Sequence, residues 1–311
     1  MFFLQSDYFQ TFQISALEIE SDMTCHLTIL GSGSSGNATY IETETTRILV
    51  DAGLSAKQLE ERLLAIGRDA SQLHAILITH EHSDHIQGLR VLAGRYHIPI
   101  YANKLTREAA LENFAVAGGA ASAKAAALSW RLFESGQRFA VGDFDVEAFS
   151  IPHDACDPVG FLIHHGDRTI GFMTDLGHTP RLVLDKARQA DTLILETNHD
   201  LKMLQNDKIR PWSVKQRISG RHGHLNNEAA AAALTEIMTD RLNLLYLAHL
   251  SQDCNRPALA EKVIRSKLQE LGASHVRVTV AQQDVACATE LLVTGRPLTV
   301  ETPSLFGRVA V

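Results

Sequence analysis

Cysteine is scarce. The four present, Cys25, Cys156, Cys254 and Cys287, lie far apart and form no CxxC pair. That spacing excludes a disulfide framework and gives the expectation of reduced thiols in a cytoplasmic protein. No apolar run approaches the roughly 20 residues that cross a bilayer, so no membrane association is expected. The first basic residue is Arg47, so the chain does not start with the positive segment of a secretory signal. Repeats, charge blocks and linker-like stretches are also missing. We therefore expect one domain over residues 23–311, preceded by an extension, residues 1–22, with Met23 as an alternative start. The least complex stretch, residues 109–127, is rich in Ala and Gly and reads as a peripheral helix, loop and helix. A net charge of −7 excludes a surface coated in positive charge, but not a local basic patch.

What is present is a globular balance, 45% apolar and 21% charged residues, together with 15 histidines. Alternating apolar residues predict strands at 25–30, 38–42, 47–50, 75–79, 144–151, 160–164, 169–173, 191–195, 242–247, 276–281 and 291–293. Helices are predicted at 55–66, with Ser55 as N-cap, and at 86–95, 180–188, 226–238 and 258–271. A run of strands followed by alternating helices and strands in each half fits two packed sheets flanked by helices.

Gly31-Ser-Gly33-Ser-Ser-Gly36 has the spacing of a dinucleotide-binding loop and follows a predicted strand. That fingerprint requires a helix to open at its third glycine. Here residues 37–42 read as a strand, which argues against a nucleotide cofactor. A tight turn between strands is one remaining reading. Another is an anion site built from backbone N–H groups and the hydroxyls of Ser34 and Ser35.

Thr79-His80-Glu81-His82-Ser83-Asp84-His85 is the sharper motif, with three histidines and an aspartate in six positions after a buried strand. Imidazole and carboxylate are the donors that zinc and related divalent ions prefer. His80 and His82 converge on one ion while Asp84 and His85 turn to a second. One loop cannot complete two sites, so further ligands should stand at other strand ends, where His153, Asp175 and His249 occur. The expected sets are His80, His82 and His153 for one ion, and Asp84, His85 and His249 for the other. Asp175 is the bridging carboxylate. Histidine-rich ligation favours Zn2+, and mixed His/Asp sites also accept Mn2+.

With Val50-Asp51-Ala52-Gly53, the His80–His85 motif, His153, Asp175 and His249 in place, the chain resembles the metallo-β-lactamase superfamily from about Thr24 onward. The resemblance implies a four-layer αββα sandwich with a dinuclear site along one edge, and Asp51 supporting the metal loop from behind. Gly33-Ser-Ser-Gly-Asn37, Asp157-Pro-Val-Gly160, Glu196-Thr-Asn-His-Asp200, Gly223-His-Leu-Asn-Asn227 and Ala248-His-Leu-Ser251 are similar to the YycJ/WalJ group. That group implies a metal-dependent hydrolase with exonuclease activity on DNA, and brings Ser34, Ser35 and Asn37 forward as substrate contacts. Gly223-His224 and His249-Leu-Ser251 also resemble ribonuclease Z enzymes, and by that likeness Glu196 and His224 form a carboxylate–imidazole pair. Without the likeness, His224 reads as a capping or surface histidine. Residues 175–249 are too few for an inserted domain of roughly 100 residues.

The expected chemistry is phosphodiester hydrolysis. Two ions about 3.5–4 Å apart activate a bridging hydroxide and neutralise phosphoryl charge. Asp84 orients that nucleophile, and His224 protonates the leaving oxygen. Residues 202–222 carry six basic residues and a single acidic one, Asp207, with Trp212 among them. Trp212, Arg217 and Arg221 then face a phosphate backbone and a stacked base. The same segment also reads as a solvated basic helix with Trp212 in the core. The partner expected is nucleic acid, DNA before RNA. The alternative is a small-molecule hydrolase of the same fold, acting on a thioester, a lactone or a cyclic phosphodiester.

Overall fold

The computed structural model describes residues 24–116 and 127–293. The expected extension at 1–22, the alternative start at Met23 and most of the loop in the 109–127 reading lie outside the described residues. Two seven-stranded sheets stack face to face. The first contains β1 (Thr24–Gly31), β2 (Ala38–Glu42), β3 (Arg47–Val50), β4 (Ala75–Leu77), β5 (Ile100–Asn103) and β6 (Trp130–Phe133) in that order, with β14 (Glu290–Val293) beyond β1. The second runs β7 (Arg138–Val141), β8 (Phe144–Ser150), β9 (Val159–His165), β10 (Arg168–Met173), β11 (Thr192–Glu196), β12 (Leu244–Ala248) and β13 (Arg277–Val280).

Alternation along the strands builds the layers. In β1, Cys25, Leu27 and Ile29 point between the sheets, where they join Val146, Phe161, Phe172 and Tyr246 of the second sheet. Leu30 points outward, onto α1 (Ala56–Ala65), α3 (Leu89–Tyr96) and α4 (Lys104–Val116). In β12, Leu245 and Leu247 face the opposite way, onto α5 (Arg181–Ala187), α8 (Asn227–Ile237) and α9 (Pro257–Glu270). The result is the four-layer αββα sandwich. Among the described residues no helix is long and apolar enough to cross a membrane.

Local chemistry fixes the element ends. Ser55 and Gln58 form a reciprocal capping box at the start of α1. Asn226 caps α8 by accepting from the Ala229 N–H at 2.8 Å. The helix expected at 86–95 is two pieces, α2 (Ser83–Ile86) and α3, separated at Gln87 and Gly88. The Gly88 backbone packs so close to the Leu54 carbonyl that a Cβ there would stand 2.2 Å from it.

The site follows from strand direction. β3 is parallel to β4, and β10, β11 and β12 are parallel to one another. β8 and β10 are both antiparallel to β9, so they share a direction. Their carboxyl ends collect at one edge of the sandwich, where open α/β sheets characteristically bind ligands.

Candidate metal centre

The histidine loop leaves β4 and is held by main-chain bonds and by the Asp51 carboxylate. The Asn37 N–H donates to the Asp84 carbonyl at 2.8 Å, and the Ala52 N–H donates to the His85 carbonyl at 2.9 Å. Asp51 accepts from the Thr79 N–H at 2.9 Å. The closest approach is at Gly53, where a Cβ would stand 1.6 Å from the Asp84 carbonyl oxygen. Gly53→Ala must therefore displace the loop. The expected outcome is a lowered Tm and loss of most bound metal, read by calorimetry and elemental analysis; a variant keeping both would refute the clamp.

Three side chains at this edge sit on backbone that only glycine adopts easily. Asp51, Asp175 and His249 have φ of 62°, 59° and 56°, each just beyond a strand end. Such conformations cost on the order of 1–3 kcal/mol each and persist where surrounding structure enforces them. Here they turn the chain sharply, so that three functional side chains aim back across the sheet edge.

The donors converge. His80 Nε2 lies 3.1 Å from His82 Nδ1, which lies 3.2 Å from His153 Nε2. His249 Nε2 is 3.2 Å from both Asp84 Oδ2 and Asp175 Oδ1. His85 Nε2 is 3.4 Å from Asp175 Oδ2. Two three-residue groups, His80/His82/His153 and Asp84/His85/His249, each bring their donor atoms within 4.8 Å of one another, with Asp175 beside both His80 and His85. The structure thus brings together all seven residues singled out as metal ligands.

Two of the opposite ring nitrogens are committed to oxygen acceptors elsewhere. His85 Nδ1 donates to Asp51 Oδ2 at 2.8 Å, and His153 Nδ1 donates to the Gly223 carbonyl at 3.1 Å. Those bonds place protons on Nδ1 and leave the Nε2 lone pairs facing inward. Asp175 Oδ2 is buried with no hydrogen-bond partner among the described residues. Imidazole lone pairs pointing at one another beside an orphaned buried carboxylate oxygen are unstable without a cation between them. The donor set therefore fits divalent metal ions. Electrostatics agree. Burial, followed by the neighbouring His85, holds His80 well below the usual imidazole range. For Asp175, burial alone would raise the pKa, yet His249 and His85 outweigh it and hold it well below the carboxylate range.

Glu196, the last residue of β11, is fully buried beside this cluster. Its Oε2 accepts from the N–H groups of Leu176 and Leu225 at 3.0 Å each. Its Oε1 accepts from His224 Nδ1 at 2.7 Å. Burial pushes the Glu196 carboxyl up, but His224 and the hydrogen bonds bring it down to about 2. Burial lowers the His224 imidazole, and Glu196 more than reverses this, so its pKa lies above the ordinary value. His224 does not open a helix: it precedes the N-cap of α8, Asn226, by two positions.

A cavity of about 330 Å³ opens over the cluster, lined by His82, Asp84, Asp175, His224 and His249, with Ser34 and Arg217 on its walls. Around it several expectations are corrected. Asn37 is buried and does not line the cavity; its Oδ1 accepts from the Gly33 N–H at 2.9 Å, and its Nδ2 donates to the Gly33 carbonyl at 3.0 Å and lies 3.2 Å from His85 Nε2, behind the donor cluster. The glycine loop has no open nest of N–H groups either. Besides Gly33, the Ser35 N–H is taken by Gln283 Oε1 at 2.8 Å and the Gly36 N–H by the Gly33 carbonyl. Only Ser34 of that loop reaches the cavity wall. Trp212, opening α7 (Trp212–Ile218), which follows the short α6 (Leu201–Asn206), is 67% exposed, so it is not a core residue.

The basic segment is less positive than its sequence suggests. Arg210 pairs with Asp207 and Asp253, and Arg217 with Asp154. Lys215 is buried and donates to the Gln205 carbonyl at 2.9 Å. Arg221 stands 3.2 Å from His178 Nε2. Sequence reasoning missed Asp154, although it directly follows His153. It also missed Ser32, whose hydroxyl accepts the His249 N–H at 2.8 Å and fixes that strained turn.

Fold and site together define a hydrolase architecture, and comparison with known sequences gives it a family. Residues 46–249 match the family described as "Beta-lactamase superfamily domain", and the chain is an enzyme of the metallo-β-lactamase superfamily. Within that superfamily it falls in the YycJ/WalJ group. It is 38% identical over 250 residues to Exodeoxyribonuclease YycJ of Bacillus anthracis, covering 80% of this chain and 91% of that protein. It is equally similar, 38% identical, to Exodeoxyribonuclease WalJ of Streptococcus pneumoniae, covering 80% of this chain and 90% of the relative. Among solved structures, the metallo-β-lactamase fold protein YhfI from Bacillus subtilis superposes with a TM-score of 0.62 at 19% identity, over 85% of this chain and 99% of that one, which is a likeness of fold.

Proposed function

We propose that the chain is a dinuclear metal-dependent exonuclease that hydrolyses phosphodiester bonds of DNA in the cytoplasm. The observation that carries this reading is the convergence of seven donors on one cavity, with a buried carboxylate–imidazole pair at its wall. The names of the relatives support DNA as substrate. His80, His82 and His153 would hold one ion, and Asp84, His85 and His249 the other; Asp175 lies beside both sets. Bound metals supply a water activated at neutral pH and positive charge against the phosphoryl oxygens. Zn2+ suits the histidine-rich donors, and Mn2+ is compatible with the aspartates.

The protein's own groups do the rest. Asp51 keeps His85 in the tautomer that presents Nε2. Glu196 fixes His224 through Nδ1, leaving Nε2 for the proton that the leaving oxygen requires. Asp84, on the cavity wall, orients the attacking oxygen. Ser34 and Arg217 contact the phosphate, Arg221 a neighbouring phosphate, and Trp212 offers an exposed ring on which a base stacks.

The test is an assay of metal-loaded protein on linear and circular single-stranded DNA, duplex DNA and RNA. Linear DNA should lose mononucleotides from an end while the circle resists; equal cutting of the circle, or no cleavage of DNA, would contradict the proposal. Arg217→Ala and Arg221→Ala should each flatten the log–log salt dependence of binding by about one unit. Unchanged slopes would remove these residues from the DNA path.

A further inference from the structure

A second cavity, of about 260 Å³, adjoins the catalytic one and shares four of its wall residues, Ser34, Asp154, Arg217 and His224. Its character is different. Val214 and Ile218 of α7 give it an apolar side, and Asn198, Ser251, Gly223 and Arg210, the last paired with Asp207 and Asp253, complete the lining. Val214 and Ile218 stand one helical turn apart, so they present one continuous apolar strip. The Arg217 guanidinium, paired through Nε with Asp154, stands on the wall common to both spaces.

A phosphodiester lying over the metal cluster carries a sugar and base on each side of its phosphorus. One of them must occupy space beside His224, where the leaving oxygen is protonated. The adjoining cavity is that space, with the bulk of about one nucleoside, below the usual range for larger ligands. An apolar strip suits the face of a base, and hydroxyl and guanidinium groups suit a sugar and its phosphate. We infer that this cavity is the subsite for a single terminal nucleoside of the substrate, seated against Val214 and Ile218 with its phosphate turned toward Arg217. The inference rests on the nuclease reading and deepens it: a recess for one nucleoside next to the reacting phosphate favours release of single nucleotides. Contact through the face of the base also implies little preference among bases.

Val214 is 37% exposed, so a larger side chain there fills the cavity without disturbing the core. The experiment compares the wild type with Val214→Trp and Val214→Ala. Three quantities are read: binding of dAMP and TMP by titration calorimetry, KM for linear single-stranded DNA, and turnover of bis(p-nitrophenyl) phosphate, which has no nucleoside. For Val214→Trp the expected result is mononucleotide binding and DNA KM both weakened about tenfold or more, with turnover of the small diester within about twofold of wild type. Val214→Ala should change each by only a few-fold. Unchanged mononucleotide binding in Val214→Trp overturns the subsite, whether or not the protein cuts DNA. Wild-type protein that binds mononucleotides at this position yet never degrades DNA would leave the subsite standing and overturn the nuclease reading instead. A parallel loss on the small diester would mean that the substitution had damaged the metal cluster, and would count against the assignment of Val214 to a separate recess.

Discussion

Asp175→Asn should leave the fold standing and remove almost all turnover. Asp175 sits on left-handed backbone at φ 59°, a conformation that Asn tolerates as well as Asp, so the turn after β10 survives. Its side chain is 2% exposed and central. Oδ1 is 3.2 Å from His249 Nε2 and 3.8 Å from His224 Nδ1, and Oδ2 is 3.4 Å from His85 Nε2. The amide removes the one charge facing both halves of the cluster and aims N–H donors where cations belong. Bound metal should fall from about two ions per chain toward one or none, and kcat by about a thousandfold or more. Circular dichroism should be unchanged. Full activity in this variant would show that the carboxylate does not sit between two ions.

His224→Ala should give the second large effect by a different route. The substitution leaves the metal donors untouched, and Glu196 keeps the Leu176 and Leu225 N–H groups on Oε2. Metal content should therefore match wild type. Loss of the proton donor should lower kcat on DNA by about 10²–10⁴-fold. A nitrophenolate leaving group needs no proton, so bis(p-nitrophenyl) phosphate should lose far less. Glu196→Gln should move both numbers in the same direction by less, because it loosens His224 without removing it. An equal loss on both substrates would make His224 a structural residue and not an acid.

The sequence exposed those parts of the fold where burial writes a pattern. Long central strands such as β2 and β10 alternate or run apolar, and their bounds are recovered nearly to the residue. β6 and β7 lie at sheet ends with most of their residues exposed or half-buried, and each has only four residues, too few for an alternating pattern to stand out. The candidate ligands were legible because imidazole and carboxylate recur just past strand ends. The backbone strain behind them was not: Asp51, Asp175 and His249 occupy left-handed positions with no glycine to announce them. Nor can a sequence give side-chain direction. Asn37 lies in the same turn as Ser34, yet one points into the loop packing and the other lines the cavity. The charge of residues 202–222 was overstated for a similar reason, since Asp154 and Asp253, which neutralise part of it, are distant in the chain.

The central claim is that one edge of the sandwich grips a pair of cations, and elemental analysis of protein equilibrated with zinc or manganese, then desalted, tests it most directly. The account predicts about two divalent ions per chain, falling together when His80, His82 and His153 are replaced or when Asp84, His85 and His249 are. A chain that retains no metal under any loading condition, or that loads equally well after both sets are removed, would contradict it.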